Sequence, residues 1–356
     1  MKGFTTEEAA KFLGKSTRTL RRWKASGKLE PNLKIGHPGR GKCDIYSFDQ
    51  IKRVTKAILD SFEIEKFQTN VHIENVISCN DKLTKTLFSL PANEYYDAIK
   101  KGISIAVTEI ISRGKKIQTH FKLNGGGLAT LKRPLNEYDR AIFDVCNSAR
   151  EEGFFGLTRD SLFRALIGGK TNQYPRPNQA TAIVESLKRL MTVIEIDFSN
   201  TRDKIPKYNS VKPKLISPIL PCIILDNVLV NGQLTSIIKF TDESPLMTIA
   251  RAKKQIITSP ISLRDITNQN NTSLVIMIKS YVIRRVLEII LHNMTPSITF
   301  ADVFKHCDLP NATRKQRQDA RKIVLDVMEN LKSKDVIKSF EFTKKGETFY
   351  SITITF

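Results

Sequence analysis

Metal-binding and disulfide patterns are scarce in this sequence of 356 residues. Its five cysteines are scattered and form no CxxC pair, which argues against a zinc site and against a disulfide framework. We therefore expect each cysteine to be a small apolar residue of the core, in a reducing compartment. No apolar run reaches the length of a membrane span, and no secretory signal opens the chain. These absences predict a cytoplasmic protein without a membrane partner.

Catalytic patterns are equally weak. The five histidines are far apart in sequence, and none forms the His-hydrophobic-His pair that nicking replication enzymes use with an active tyrosine. Tyr95 and Tyr96 are therefore interpreted as structural, and no acidic cluster suits two-metal chemistry. Gly168-Gly169-Lys170-Thr171 looks like part of a phosphate-binding loop, but the motif requires glycine where Arg164 stands. The sequence predicts no catalytic site, no metal and no cofactor, although a nicking enzyme with an unrecognised site stays open.

Acidic residues are too few to balance the basic ones. The chain has 57 Lys and Arg against 36 Asp and Glu, a formal net charge of +21. Residues 1–56 contain 14 of the basic residues and 5 of the acidic ones, and the rest of the excess is spread over the body. Such an excess favours a polyanionic partner. No amphipathic Lys/Trp helix points to a membrane surface instead.

A helix, a tight turn and a second helix are predicted at the start of the chain. Thr5 and Glu8 have the spacing of a capping box, and Gly14 suits the turn because glycine tolerates positive φ. Ser16 then caps a second helix, which ends at Gly27. The apolar side of that helix faces the first helix, and arginines occupy its other side. In helix-turn-helix proteins the second helix enters the major groove of DNA.

Three segments of this head carry a family resemblance: TTEEAAKFLGKSTRTLRRW, GKLEP and IYSFDQI. They resemble the winged-helix heads of the MerR and excisionase families, in which residues 34–46 would form a wing and residues 48–54 a third helix. The resemblance implies that one set of side chains faces DNA: Ser16, Thr17, Arg18, Arg21, Arg22 and Lys24. It also implies that Arg40 and Lys42 reach phosphate from the wing. The alternative is an ordinary solvated helix face.

The segment after the head is harder to interpret. Residues 57–78 continue as a helix without clear periodicity, and residues 93–101 suit a further helix. Residues 103–111 and 117–123 are β-rich around a basic turn, which predicts a hairpin. We therefore expect residues 61–131 to form a linker helix and a hairpin between the head and the body.

A winged helix is predicted over residues 132–265. The apolar pattern indicates helices over residues 137–150, 157–166 and 178–190. Strands follow at residues 193–198, 219–230 and 234–240, with a basic stretch at 202–214 and the hairpin signal Asn231-Gly232. The third helix would expose Asn178, Thr181, Ala182, Lys188 and Arg189. Short helices at residues 245–254 and 261–266 lead to the next unit.

A second winged helix is predicted over residues 266–356. Helices at 273–292, 300–306 and 314–332 precede strands at 336–342 and 348–355, and Thr299 and Thr313 cap the last two helices. Away from the core, the third helix presents Arg314, Arg317, Gln318 and Arg321, and the hairpin tip carries Lys344 and Lys345. Such side chains suit contacts with phosphates and base edges. A solvated face is the alternative, since Asp326 and Glu329 share part of that surface.

The body also carries a family resemblance. RPLNEYDRAIFDVC, LTRDSLFRALIGG, RPNQATAIVESLKRL, LVNGQLTSIIKFTDESPLMTIARAKKQI and RKQRQDARKIVLDVMENLKSKDVIKSF resemble the two-winged-helix replication initiators of Firmicutes plasmids and integrative elements. The resemblance implies binding to repeats in double-stranded origin DNA, opening of an AT-rich segment and recruitment of host helicase or helicase-loading proteins. It also implies a monomer–dimer balance, with the first winged helix as the homodimer face.

The sequence therefore predicts an α+β fold, mostly helical, with tandem winged-helix domains and an N-terminal winged helix-turn-helix head over residues 1–60. The predicted function is a sequence-specific DNA-binding replication initiator of a plasmid or mobile genetic element. The alternative is a transcriptional regulator or an excisionase-like DNA-binding protein, for which the head alone would suffice.

Overall fold

The computed structural model describes residues 4–7, 9, 17–25, 29, 31, 33–37, 40–47, 71–101, 103–110, 116–124, 134–169, 173–197, 214–230, 233–266, 270–309, 311–346 and 348–356. The chain divides into two units, Met1–Gln68 with Leu225–Ser236, and Thr69–Ile224 with Ile237–Phe356. Helices and strands both contribute, so the predicted α+β class is confirmed. The domain boundaries predicted after residues 60, 131 and 265 stay predictions. In the described ranges, no helix is both long enough and apolar enough to cross a membrane.

The first unit pairs a helix with a small sheet. Its elements are β1 (Phe4–Thr5), α1 (Thr17–Ala25), β2 (Leu33–His37) and β3 (Arg40–Tyr46). β3 lies between β1 and β2, and both pairings are antiparallel. Leu20 of α1 and Tyr46 of β3 are fully buried. The predicted second helix and hairpin are thus confirmed, whereas the third helix over residues 48–54 lies outside the described part of the chain.

The second unit begins with a strand where a helix was expected. Its first elements are β4 (Asn75–Cys79), α2 (Lys82–Leu87), α3 (Ala92–Lys101), β5 (Ile105–Ile110) and β6 (Lys116–Asn124). The helix predicted over residues 57–78 is wrong at its C-terminal end, because β4 pairs antiparallel with residues 256–260, far along the chain. The α3 helix and the β5–β6 hairpin are confirmed. The short helix α2 was not predicted; the Asp81 carboxylate caps it by accepting from the Thr84 amide.

The middle of the chain follows the predicted order with several corrections. Its elements are α4 (Glu137–Glu151), β7 (Gly156–Thr158), α5 (Arg159–Ile167), α6 (Pro177–Leu190), β8 (Val193–Asp197), β9 (Lys214–Pro218), β10 (Cys222–Val230), β11 (Gln233–Phe240), α7 (Pro245–Ala252), β12 (Ile256–Pro260) and a 3₁₀ helix (Ile261–Arg264). Strands β9 and β12 were not predicted. The helix expected to start at Leu157 starts after Thr158, which caps it, while Leu157 pairs with β11. The strand predicted over residues 219–230 is interrupted, because Ile219 and Leu220 donate to carbonyls of Thr192 and Leu190 before β10 begins.

Two sheets are formed by the strands in this part of the chain. β5, β6, β8 and β9 form a four-stranded antiparallel sheet in that order. β10, β11 and β7 form a three-stranded sheet, in which the short β7 pairs with β11. β9 was not predicted as a strand, because its first residue, Lys214, was assigned to the basic stretch that precedes it. Residues 202–213 of that stretch lie outside the described residues.

The C-terminal part repeats the order of the middle part. Its elements are α8 (Ser273–His292), β13 (Ser297–Thr299), α9 (Phe300–His306), α10 (Arg314–Ser333), β14 (Ser339–Lys345) and β15 (Thr348–Thr355). β13 pairs with β15 as β7 pairs with β11, and both parts contain a helix, a short strand, two further helices and a closing hairpin. In the middle part β8 and β9 are inserted before that hairpin. The three helices and both predicted caps are confirmed, and the first wing strand begins three residues later than predicted.

The two leading helices, α4 and α8, pack against each other inside one apolar core. Between them, Arg284 Nη1 lies 2.6 Å from Glu137 Oε1 and 3.8 Å from Asp144 Oδ2. Burial alone would lower the pKa of Arg284, but the charge of Glu137 and its hydrogen bond outweigh burial and raise that pKa. A buried charge is tolerated only with such a partner, so the ion pairs determine how the two helices align.

Gly168 marks a close approach between backbones. It ends α5 in a left-handed conformation, with φ of +109°. A Cβ built on Gly168 would overlap severely with the Asp265 backbone nitrogen. Only glycine satisfies both the positive φ and the contact with Asp265.

We expect Gly168→Ala to lower the free energy of unfolding by about 2–5 kcal/mol, from left-handed strain together with the overlap at Asp265. Gly153→Ala is the matched control, since Gly153 has φ of +88° but no atom within 4 Å of the added Cβ. The control should lose only about 1–2 kcal/mol. Urea unfolding of both variants measures the difference, and equal losses would contradict a role for the close approach.

Candidate nucleic-acid interface

Helix α10 exposes a dense cluster of cations in its first turns. The Thr313 hydroxyl accepts from the Gln316 amide, and the Gln316 side chain accepts from the Thr313 amide, which satisfies the helix start. The buried stripe then begins at Ala320 and continues through Ile323 and Val324. The exposed side carries Arg314, Lys315, Arg317, Gln318 and Lys322. The predicted exposure of Arg314, Arg317 and Gln318 is confirmed, and their contact with DNA stays a prediction.

Arg321 joins the helix to the hairpin that follows it. Its guanidinium carbon lies 5.6 Å from the ring centroid of Phe300 and 5.9 Å from that of Phe349. Lys344 Nζ, on β14, lies 5.0 Å from the same Phe349 ring. These cation–π contacts hold a cation of the helix and a cation of the hairpin close to one aromatic ring. The side chain of Lys345 lies outside the described residues.

An aromatic cluster fixes the hairpin beneath these cations. The Phe342 ring stacks on Phe300 at 6.0 Å and meets Phe349 edge-on at 5.2 Å. Phe340 contacts Phe342 at 5.8 Å in a T-shaped arrangement. Such pairs are worth about 0.5–1.5 kcal/mol each beyond burial. The aromatic spacing was not used in the sequence interpretation, although alternation of Phe340 and Phe342 along a strand was the available signal.

Helix α6, the third helix of the middle part, shows a mixed outcome. Asn178, Thr181 and Lys188 are exposed, as predicted, and Ala182 is partly buried. Lys188 lies 3.1 Å from Glu185, an exposed pair that contributes little to stability. This face therefore carries fewer available cations than the face of α10.

The predicted exposure of Arg189 is wrong. Its Nη2 lies 2.8 Å from Asp139 Oδ1, and Asp139 is fully buried in α4. Ser186 Oγ donates to the same carboxylate oxygen over 2.5 Å. Because Arg189 neutralises a buried acid, its charge is used inside the fold and is not available to a ligand.

A polar cleft of about 670 Å³ lies at the starts of α6 and α8. Asn178 lines it, together with Tyr174 and Arg176. The side-chain amide of Gln179 donates to the Asn271 carbonyl over 2.6 Å and ties the two helix starts together. The predicted residue Asn178 is thus at the wall of a polar cleft.

In the first unit, α1 presents the predicted arginines. Arg18, Arg21 and Arg22 are exposed on the side opposite the buried Leu20. Thr17 is partly buried, and Lys24 Nζ is 2.6 Å from Asp44 Oδ2 of β3. Lys24 is therefore engaged within the unit.

Three predicted residues of the head cannot be placed. Ser16 lies outside the described residues. Arg40 and Lys42 belong to β3, but only their backbone is described.

Tyr95 is a buried structural residue. It is fully enclosed, and its ring meets Tyr96 edge-on at 6.0 Å. Burial, followed by the charge of Asp139, raises the pKa of the Tyr95 hydroxyl. Four cysteines, Cys79, Cys146, Cys222 and Cys307, are free and buried, as expected for apolar core residues.

No protein-family model and no curated protein matches the chain. Among solved structures, the crystal structure of selenomethionine derivatives of domain 2 and domain 3 of RctB is similar to 71% of this chain and 91% of that chain. The sequence identity is 10% and the TM-score is 0.32. A TM-score of that size is too low to support an inference about fold or function.

The two neighbouring cations of α6 allow a matched test. Arg189→Ala leaves the buried Asp139 without its partner and should lower the free energy of unfolding by about 3–5 kcal/mol. Lys188→Ala removes an exposed side chain and should change it by about 0.5 kcal/mol or less. Urea denaturation of the two variants checks the expectation, and a stable Arg189→Ala protein would contradict the structural role.

Proposed function

We propose that the protein is a sequence-specific DNA-binding replication initiator without a catalytic site. It binds repeats in double-stranded DNA at the origin of a plasmid or mobile genetic element, promotes opening of the neighbouring DNA and recruits a host helicase or its loader. It acts in the cytoplasm, and its monomer–dimer balance controls its activity.

The observation that carries the proposal is the exposed cationic face of α10 beside its hairpin. Arg314, Arg317 and Gln318 are exposed at helix spacing. Lys344 is exposed on the hairpin strand and contacts the same Phe349 ring as Arg321 of α10. Arginine and glutamine donate to base edges in the major groove, and lysine on a hairpin reaches phosphates. We interpret the helix, short strand, helix, helix and hairpin order as a winged helix, with α10 as the recognition helix.

Repetition supports an origin-binding protein. Apart from the inserted strands β8 and β9, the middle part has the same order of elements and the same pairing of its short strand. We interpret it as the first of two winged helices, and α1 with its sheet as a separate MerR-like head. Several DNA-binding modules in one chain raise avidity for repeated sites through effective concentration.

A transcriptional regulator or excisionase-like protein is the second candidate. The exposed arginines of α1 favour it, because a head of this kind binds a promoter or a recombination site by itself. The two candidates differ in the module that supplies sequence-specific contacts. Substitutions on α1 and on α10 therefore separate them.

We expect Arg317→Ala to weaken binding to origin repeats by about 1–3 kcal/mol, if it reads a base edge. Arg314→Ala should remove a phosphate contact. The plot of the logarithm of the association constant against the logarithm of the salt concentration should then become less steep by about 1. Lys332→Ala is the control, since Lys332 is exposed at the other end of the same helix. Electrophoretic mobility shifts over a range of salt concentrations measure all three, and equal effects at all three positions would contradict a localised interface.

A footprint on the DNA that flanks the gene tests the proposed function itself. Protection of regularly spaced repeats, lost in Arg317→Ala and retained in Arg21→Ala, supports the initiator. A single footprint over a promoter, lost in Arg21→Ala, favours the regulator. Cleavage of a single-stranded origin that depends on a divalent metal would overturn the absence of catalysis.

A further inference from the structure

A cation-rich cavity of about 230 Å³ lies in the second unit, and none of its lining residues belongs to α10. Helices α2, α4, α8 and α9 contribute its walls. The charged residues that line it are Lys85, Arg140, Arg284, Arg285, Glu288 and Asp302. Cations therefore outnumber carboxylates in the lining.

Both carboxylates of the lining already have partners. Glu288 pairs with Lys85, and its second oxygen lies 2.8 Å from Arg285 Nη1. Burial by itself would raise the pKa of Glu288, but Lys85 and Arg285 outweigh burial and lower it to about 2. The Asp302 carboxylate accepts from the Thr299 hydroxyl over 2.6 Å. Arg284 likewise forms an ion pair with Glu137.

Arg140 is the lining cation that forms no ion pair among the described residues. It is 4% exposed, and its Nη2 donates to the Cys79 carbonyl over 2.6 Å. Its Nε is buried and has no hydrogen-bond partner among the described residues. No carboxylate of the described chain lies within ion-pair distance of the Arg140 guanidinium. A buried charge of this kind costs free energy until an anion or further acceptors reach it.

The surroundings reinforce the positive potential at this point. Burial lowers the pKa of Arg140 and the charge of Arg284 lowers it further, while the charges of Glu137 and Asp144 act in the opposite direction. Burial also lowers the pKa of Lys85; the pair with Glu288 opposes that shift, and the charges of Arg140 and Arg284 add to it. An anion in the cavity would offset these repulsions.

We propose that the cavity between α2, α4, α8 and α9 binds a phosphate group, with the Arg140 guanidinium as its principal ligand. Guanidinium groups donate in parallel to two oxygens of a phosphate, which suits an arginine that lines the cavity and forms no ion pair. Cavities for drug-sized ligands measure about 300–1,000 Å³, so this smaller one suits a phosphate group better than a whole nucleotide. The phosphate comes either from free orthophosphate or from the backbone of bound DNA.

Calorimetric titration of the full chain with orthophosphate, at constant ionic strength maintained with chloride, tests the proposal. We expect saturable binding by the natural protein and at least a tenfold loss of affinity in Arg140→Met. Arg150→Ala should bind as the natural protein does, since Arg150 lies on the same helix but does not line the cavity. The absence of saturable binding, or equal binding by Arg140→Met, would overturn the proposal.

Two additions keep the test decisive. If Arg140→Met does not fold, Arg285→Ala provides a variant at a partly exposed wall position, and it should weaken phosphate binding several-fold. An unchanged affinity in Arg285→Ala would then contradict the site. Adding duplex DNA to the phosphate-loaded protein identifies the source, because displacement of phosphate assigns the site to the DNA backbone and retention assigns it to the free anion. Orthophosphate binding is measured without DNA, so its outcome does not depend on the proposed function.

Discussion

The structure depends on the pairing of charges between α4 and α8. Arg284 of α8 reaches Glu137 and Asp144 of α4, and all three side chains are almost completely buried. Removing one partner from such a group leaves a buried charge uncompensated, which costs far more than the loss of a surface pair. Helices α4 and α8, the first helices of the middle and C-terminal parts, can therefore align in few ways. The core and the exposed faces of the later helices follow from that alignment.

The net positive charge is divided between two roles. Among the described residues, five arginines are buried and serve the interior: Arg140, Arg164, Arg189, Arg264 and Arg284. The arginines of α1 and those in the first turns of α10 are exposed instead. The net charge thus indicates a polyanionic partner, but it overestimates the number of cationic side chains that are exposed and able to contact that partner. The exposed cationic face of α10, whose arginines are not used in the interior, is the surface that we propose for DNA binding.

Arginine is ambiguous in a sequence pattern because its stem packs like an apolar residue and its guanidinium pairs with acids or phosphates. Arg189 and Lys188 are adjacent on α6, and nothing in their local pattern separates them. Only the position of Asp139, fifty residues earlier in the chain, assigns Arg189 to the interior. In α10 the pattern was sufficient for Arg314 and Arg317, which are exposed, but not for Arg321, which is partly buried against Phe300 and Phe349.

The sequence by itself determined the elements that local interactions specify. The long helices follow from apolar periodicity, and the starts of α9 and α10 follow from the caps Thr299 and Thr313. Tertiary structure alone decided the strand β4, which exists because it pairs with β12 nearly 180 residues later, and the break between β9 and β10. It also decided which arginines are buried. Strand pairing and ion pairing both depend on partners distant in the chain, and no local pattern carries the position of those partners.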